Sequence, residues 1–478
     1  MSLKVYNVLT RKKQEFIPAE PGKVKMYACG ITASGDAHVG HALQAVVFEM
    51  IAKYLSLQGY EVTYVRNYTD VDDKIIDRAK AQNTDPLSYA RHIIEKTDSE
   101  LDALGVERPT VVSNATDCMA DIIELICRLQ QKGHAYKTDD GDVFFSVASF
   151  LDYGSFSNRI LDESIHGVRI EPDPAKRDEK DFALWKSAKE GEISWDSPWG
   201  KGRPGWHIEC SAMSMKYLGE SLDIHGGGRD LLFPHHENEI AQSQAASGKQ
   251  FARYWLHNGL IKVNGQKMSK SLGNGILLQD VQKIYNKDVI RLTLFQNHYR
   301  SDVNITDGMF EQFEKKVYNL YKTFREVESG TAGLTPDTGS AIFGEVSGNF
   351  CKAMDNDFNT ALAIADLFQY ASLLKKYVAG KNFGEALNLK TAVKNIYSVM
   401  GLCQMDPAEA IKKTREKYLE KNALTEEKIS KLLEQWQKYK SEKNYGAADE
   451  IRNYLSSRSI EAKDGEENAE WDLILGGR

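Results

Sequence analysis

The stretch Val24–Arg66, VKMYACGITASGDAHVGHALQAVVFEMIAKYLSLQGYEVTYVR, decides the fold. It opens with a short apolar strand, Val24–Cys29, that ends at the turn residue Gly30. Ala42–Leu57 then carries Val46, Val47, Met50, Ile51, Tyr54 and Leu55 at helical spacing and stops at Gly59. Tyr60–Arg66 alternates like a strand rich in β-branched and aromatic residues. Strand, loop, helix and strand make a βαβ unit, which implies a parallel sheet with ligands at the carboxyl ends of its strands.

Outward from this unit, Asn114–Gln131 reads as an amphipathic helix with Asn114 as N-cap and Gly133 past its end. Between 135 and 200 a short strand (Asp142–Val147), Pro and Gly punctuation and a charged run (Asp173–Asp181) indicate an inserted subdomain. The parallel pattern returns at Ser221–Ile224 and Ile261–Val263. Beyond about 305 the periodicity is helical: Met309–Glu328, Gly344–Asn356, Thr360–Val378 and Lys390–Met400, with a Gly/Thr/Pro-rich link at Ser329–Gly339. The last segment, 408–478, reads as lysine-rich helix and a short apolar tail, Trp471–Leu475.

Composition excludes several classes. At 478 residues, 42% apolar and 27% charged, the chain fits a multi-domain globular protein. No stretch is apolar for long enough to span a bilayer, and the N-terminal MSLKVYNVLTRKK has no signal-peptide core, so a cytoplasmic location is expected. A net charge of −7 argues against indiscriminate nucleic-acid binding but leaves room for a local RNA site. Residues 411–458 offer one, with 12 Lys/Arg against 8 Asp/Glu. Six cysteines in a chain of this length form no disulfide framework; each is a buried thiol, a metal ligand or a nucleophile.

Two short motifs carry chemistry. His38-Val39-Gly40-His41 lies between the first strand and the first helix, beside the positive end of the helix dipole, where a polyphosphate is stabilised. On its own the tetrapeptide is equally two exposed loop histidines or a helical zinc pair. Lys267-Met268-Ser269-Lys270-Ser271, between Asn264-Gly265 and Gly273-Asn274, is more specific. Two ammonium groups on a glycine-flanked loop suit a charge that develops on a departing pyrophosphate. A third feature is His235-His236-Glu237-Asn238-Glu239, which sets His235 and Glu239 at i,i+4. With Cys29 and Cys210, these donors make a permitted zinc set. Spacing does not show that the two cysteines converge. It also leaves His236 and Glu237 as competitors, more often surface or outer-shell groups.

The two motifs are similar to the HIGH and KMSKS signatures of class I aminoacyl-tRNA synthetases. The runs Tyr64–Lys74 (YVRNYTDVDDK), Asp181–Lys186 (DFALWK), Ser197–Met213 (SPWGKGRPGWHIECSAM), Asp223–Asp230 (DIHGGGRD), Phe233–Gln242 (FPHHENEIAQ) and Lys267–Asn274 (KMSKSLGN) resemble the cysteinyl-tRNA synthetases in particular. The resemblance covers the whole chain, including an anticodon-domain-like stretch around Ala447–Leu455.

It implies an α/β fold: a class I Rossmann-like catalytic domain with an inserted subdomain, then a helical bundle and a small C-terminal anticodon-binding module. The expected boundaries are 1–134 and 201–262 for the two catalytic halves and 135–200 for the insertion. Then come 263–308 for the KMSKS region, 309–405 for the helical domain and 406–478 for the terminal module.

By resemblance, Cys29, Cys210, His235 and Glu239 hold one Zn²⁺ that binds the substrate thiolate. His38, His41, Lys267 and Lys270 stabilise charge on Mg²⁺-ATP, with Gly40, Gly227 and Asp230 on the nucleotide side. Trp206, Thr69 and Asp70 are expected to face cysteine, although Trp206 is as readily a core tryptophan. The implied partners are tRNA(Cys), cysteine and ATP, for a monomer that touches no membrane. Zinc also solves a selection problem, because an apolar pocket rejects a near-isostere such as serine by only about two orders of magnitude, while zinc prefers a soft thiolate.

Thr32-Ala33-Ser34-Gly35-Asp36 departs from the family's tyrosine-containing segment, Leu43 replaces a common arginine, and Arg229 adds a charge in the glycine run. In the terminal module Trp436 stands where arginine is common. The rivals are a cysteine ligase of the mycothiol pathway, a non-catalytic paralogue and, more distantly, a zinc metallohydrolase built on the HHENE run.

Overall fold

A computed structural model describes residues 2–158, 174–269, 272–464 and 469–475. The chain divides into two units: Met1–Gln279 with Phe295–Asn304 and Phe350–Ala363, and Asp280–Leu294 with Ile305–Asn349 and Ile364–Arg478.

The first unit is built on a five-stranded parallel sheet. In spatial order its strands are Ala252–Asn258, Leu222–Gly228, Lys23–Thr32, Glu61–Thr69 and Val111–Asn114. The chain therefore starts in the middle, winds outward one way, and returns to the other side of its first strand. That reversal leaves a crevice at the carboxyl ends of Lys23–Thr32 and Leu222–Gly228, where open α/β sheets bind ligands. Helix Val39–Leu57 crosses the sheet; Val46, Val47, Phe48, Met50 and Ile51 are fully buried. Gly226 accepts this packing because a Cβ there would lie 2.3 Å from the Phe48 ring.

Several expectations shift. The outer parallel strand is Ala252–Asn258, not Ile261–Val263, which pairs antiparallel with Gln266–Lys267 in a hairpin. Asn264 and Gly265 turn that hairpin with φ of 49° and 82°, the positive angles a two-residue type I′ loop requires. Asn114 ends a strand and makes no side-chain cap; the helix proper is Met119–Gln131, after a 3₁₀ turn at Ala115–Cys118. Helices Asp73–Ala81 and Pro86–Ala103, each capped by an aspartate (Asp72, Asp85), complete this side. Ala135–Lys137, Val143–Phe145, Phe182–Ser187 and Gly202–Pro204 form a separate antiparallel sheet. Of the charged run Asp173–Asp181, Asp173 lies outside the described residues.

The second unit is helical, with Met309–Gly330, Phe383–Tyr397 and Pro407–Lys421 packed together. Glu426–Ser441 and Tyr445–Ser456 follow, and the apolar tail becomes strand Glu470–Leu473, paired with Ile460–Lys463. Its aromatic core includes Tyr318, Tyr321 and Phe324, all at most 2% exposed.

Candidate active site

Cys29 lies near the carboxyl end of the central strand, within an irregularity between Ala28 and Ile31. Gly30 is obligatory there, since a Cβ would fall 1.5 Å from the Asn67 carbonyl of the next strand. Asn67 braces the irregularity: its Oδ1 accepts from Gly30 N at 2.8 Å and from the Cys210 thiol at 3.7 Å. Cys210 comes from helix Trp206–Leu218. His235 and Glu239 arrive on the turn Leu232–His236 and the helix Glu237–Ser247 that continues it, with Nε2 and Oε1 3.1 Å apart.

The donor atoms of Cys29, Cys210, His235 and Glu239 all lie within 4.8 Å of one another, and all four residues are buried. The Cys29 thiol donates to Glu239 Oε1 at 3.3 Å. Donors on a zinc tetrahedron stand about 3.3–3.8 Å apart for bonds of about 2.0–2.3 Å. The arrangement fits that ion in donor type and count, with the His235–Glu239 and Cys29–Glu239 pairs, at 3.1 and 3.3 Å, near that spacing.

Electrostatics agree. Burial holds the Cys29 thiol well above the usual range, with Cys210 and Glu239 adding to the effect. A hydrogen bond with Cys29 draws Cys210 down most, but burial together with the charges of Glu239 and Glu209 outweighs it and its thiol is raised. Burial drives His235 to about 3, so its imidazole is neutral. Burial also opposes ionisation of Glu239, yet His225 and His235 hold its carboxyl lowered. A buried carboxylate among neutral donors calls for a cation, and a divalent ion would take the thiols as thiolates, displacing their protons.

His207, which carried no signal in the sequence beyond its place in a matching run, orients this set. Its Nδ1 lies 2.9 Å from His235 Nδ1, leaving His235 Nε2 toward Glu239. Trp206, 39% exposed, stacks on the His235 ring at 4.5 Å.

Three of the four, Cys29, Cys210 and His235, line a cleft of about 360 Å³ together with Thr32, Ser34, Thr69, Trp206, Gly228 and Asp230. His38, Gly40, His41, Lys267 and Met268 line the same cleft. His38 is the N-cap of helix Val39–Leu57, its Nδ1 accepting from Gly40 N and His41 N at 3.1 and 3.3 Å. An accepting Nδ1 puts the ring proton on Nε2. The His38 and His41 rings stack at 3.6 Å. A Cβ at position 40 would press on the His38 ring at 3.0 Å and Met268 at 3.4 Å, so glycine leaves both side chains undisturbed.

Backbone bonds zip the two motifs together: Val39 N donates to Ile276 O at 3.0 Å, and Leu278 N to Ala37 O at 2.9 Å. Asn274 clamps the lysine loop, accepting from Ser269 N at 2.8 Å and donating to Lys267 O at 3.2 Å. Lys270 and Ser271 lie outside the described residues.

Other candidates sit elsewhere. Asp70 does not line the cleft; it accepts from Thr116 N at 3.0 Å and holds the 3₁₀ turn, while its neighbour Thr69 faces the cleft and donates to Glu209 at 3.0 Å. Gly227 is also off the cleft, where a Cβ would meet Leu231 at 2.9 Å and His236 at 3.2 Å; Gly228 takes the lining position. His236 and Glu237 are not surface groups but buried, Glu237 accepting from Gly154 N and Ser157 N at 2.8 Å. Arg229 pairs with Asp302 rather than entering the cleft. Gly35 lies against Arg78, whose guanidinium would stand 2.3 Å from a Cβ there and would have to move aside for one.

A parallel sheet of this order, a phosphate-suited helix N-terminus and a facing lysine loop define the catalytic domain of a class I tRNA synthetase. A family model described as "tRNA synthetases class I (C) catalytic domain" matches residues 15–315, and one described as "DALR domain" matches 349–404. Mycobacterium tuberculosis methionyl-tRNA synthetase in complex with methionyl-adenylate shares the fold, with a TM-score of 0.57 and 15% identity over 84% of this chain and 92% of that one. Among relatives, the cysteine–tRNA ligase of Syntrophotalea carbinolica is 44% identical over 98% of this chain and 99% of its own. That of Geobacter sulfurreducens is 43% identical over 99% and 100%. The chain belongs to the cysteine–tRNA ligase family.

Proposed function

We propose that this protein activates cysteine with Mg²⁺-ATP and transfers it to the 3′ end of tRNA(Cys), as a cytoplasmic monomer with one zinc ion in the Cys29, Cys210, His235, Glu239 set. The observation that carries the reading is that Cys29, Cys210 and His235 of this thiol-rich quartet line one cleft together with His38, His41 and Lys267. Bound there, zinc would supply a soft Lewis acid able to tell a thiolate from a hydroxyl.

In the first step a carboxylate oxygen of cysteine attacks the α-phosphorus of ATP and pyrophosphate leaves. His38 and His41, at the positive end of helix Val39–Leu57, and Lys267, on the hairpin strand Gln266–Lys267 that lines the same cleft, neutralise the charge that builds on the departing phosphates. Lys270 joins them in the proposed role. Asp230, exposed and lining the cleft beside Gly228, takes the ribose hydroxyls in this reading. In the second step a ribose hydroxyl of the tRNA terminus attacks the adenylate carbonyl and AMP leaves. No side chain becomes a covalent nucleophile; Trp206, Thr69 and Gly30 shape and position.

Cysteine-dependent ATP–pyrophosphate exchange followed by charging of tRNA(Cys) tests the reading. Exchange without transfer to tRNA would favour ligation to a small amine, and no exchange would indicate a non-catalytic protein. Gel filtration of the purified chain tests the monomer.

A further inference from the structure

Behind the quartet that faces the cleft lies a second set of donors. Cys29, His225, His236 and Glu239 also bring their ligand atoms within 4.8 Å of one another, and all four residues are buried. His225 comes from strand Leu222–Gly228, so this set reaches below the cleft floor into the sheet, and neither His225 nor His236 lines the cleft. His225 Nε2 stands 3.5 Å from Cys29 Sγ and 3.2 Å from Glu239 Oε2. His236 Nε2 stands 3.9 Å from Glu239 Oε1.

The His236 ring gives the second observation. Its residue is 0% exposed, and Nε2 has no hydrogen-bond partner, while Nδ1 is engaged by His257 Nε2 at 2.7 Å. A buried imidazole with one nitrogen anchored and the other unpartnered toward a thiol and a carboxylate is how ligating histidines are held. Glu239 Oε2 is likewise buried without a hydrogen bond. Packing fixes the other ring, with His225 stacked on Tyr27 at 5.1 Å and against Trp255 at 4.4 Å.

We infer that the protein has a second, inner seat for a zinc-type divalent ion, made by Cys29, His225, His236 and Glu239. One thiolate, one carboxylate and two neutral imidazoles balance the charge of such an ion and fill four positions, which is the closed form of a structural zinc site. The inner seat shares Cys29 and Glu239 with the outer one, so the two exclude each other and a chain holds one ion. In the outer seat the ion faces the cleft; in the inner seat it is withdrawn from it. This inference rests on the proposed function only for the outer seat's holding an ion.

The test is metal content and cobalt spectroscopy on the full chain, equilibrated with zinc or cobalt and then dialysed against metal-free buffer. Cys210→Ser/His235→Ala removes both donors unique to the outer seat. It is expected to keep about one ion per chain, with thiolate-to-cobalt charge-transfer absorption about half that of wild type, for one sulfur instead of two. Adding His236→Gln, or separately His225→Gln, is expected to lower metal content at least tenfold, with circular dichroism reporting that each variant is folded. A folded Cys210→Ser/His235→Ala chain without metal would overturn the inner seat. So would retention of its ion after both histidine changes, or two ions per wild-type chain. A wild type that binds no metal would overturn both seats, whereas loss confined to the double variant overturns only the inner one.

Discussion

Cys29 and Cys210, 181 positions apart in the chain, hold their sulfur atoms within 4.8 Å of each other. One lies near the carboxyl end of strand Lys23–Thr32 and the other starts the second turn of a helix, and Asn67 on the neighbouring strand contacts both segments, at Gly30 N and Cys210 Sγ. The thiol pair is therefore a product of sheet register, not of local sequence.

Cys29 belongs to both donor sets, so Cys29→Ser should empty the protein of zinc where Cys210→Ser alone does not. Cysteine-dependent exchange should fall by at least about a hundredfold in both variants, because each removes a ligand from the outer seat. Elemental analysis beside exchange assays checks the pair; a zinc-replete Cys29→Ser chain would refute the placement.

Lys267 is exposed on the hairpin strand Gln266–Lys267 and lines the same cleft as His38; in the proposed role it meets charge formed only as pyrophosphate departs. Lys267→Ala should lower kcat for exchange by about 10²–10³ while the KM for ATP moves by less than about tenfold. Steady-state kinetics read the split; a rise in KM alone would assign the lysine to ground-state binding.

Much of this cleft is legible in the chain and some is not. Cys29, His38, His41, Lys267 and the His235/Glu239 pair stand at strand ends or at i,i+4 spacing, so periodicity places them. Asp70 and Gly227 mislead because successive residues of an extended segment point to opposite sides, and adjacency to Thr69 or Gly228 says nothing of direction. Asn67, His207 and Asn274 are single polar residues with no periodic signal; their tasks appear only once Gly30, His235 and Ser269 are brought beside them. Ala252–Asn258, with buried Tyr254, Trp255 and His257, is hidden for a related reason, since a strand buried on both faces does not alternate.

Glu209 is fully buried, its carboxyl raised well above the usual range by burial, and Thr69 Oγ1 donates to it at 3.0 Å. Thr69→Val keeps the shape and removes the donor, so it should cost about 1–3 kcal/mol of stability. Urea denaturation measures this; an unchanged midpoint would show that the contact contributes nothing.

In the helical unit, Asp472 accepts from Tyr318 at 2.6 Å and from Lys463 at 3.2 Å and pairs with Lys322. Burial raises its pKa, but these partners outweigh it and bring it to about 2. A lowered folded-state pKa contributes stability that is complete above the unfolded value near 4 and is lost as pH falls toward about 2. Asp472→Asn should remove of the order of 1–2 kcal/mol at neutral pH and flatten the acid limb between about pH 4 and 2. Chemical denaturation across that range checks both; parallel curves for variant and wild type would contradict the assignment.

The central claim is that a metal held by Cys29, Cys210, His235 and Glu239 grips the sulfur of the substrate. The most direct measurement is the absorption spectrum of the cobalt-loaded chain titrated with cysteine and, separately, with serine. A third thiolate on the ion should raise the charge-transfer band with cysteine by about half and leave it unchanged with serine. A spectrum that cysteine does not alter, in a chain that still catalyses cysteine-dependent exchange, would contradict the account.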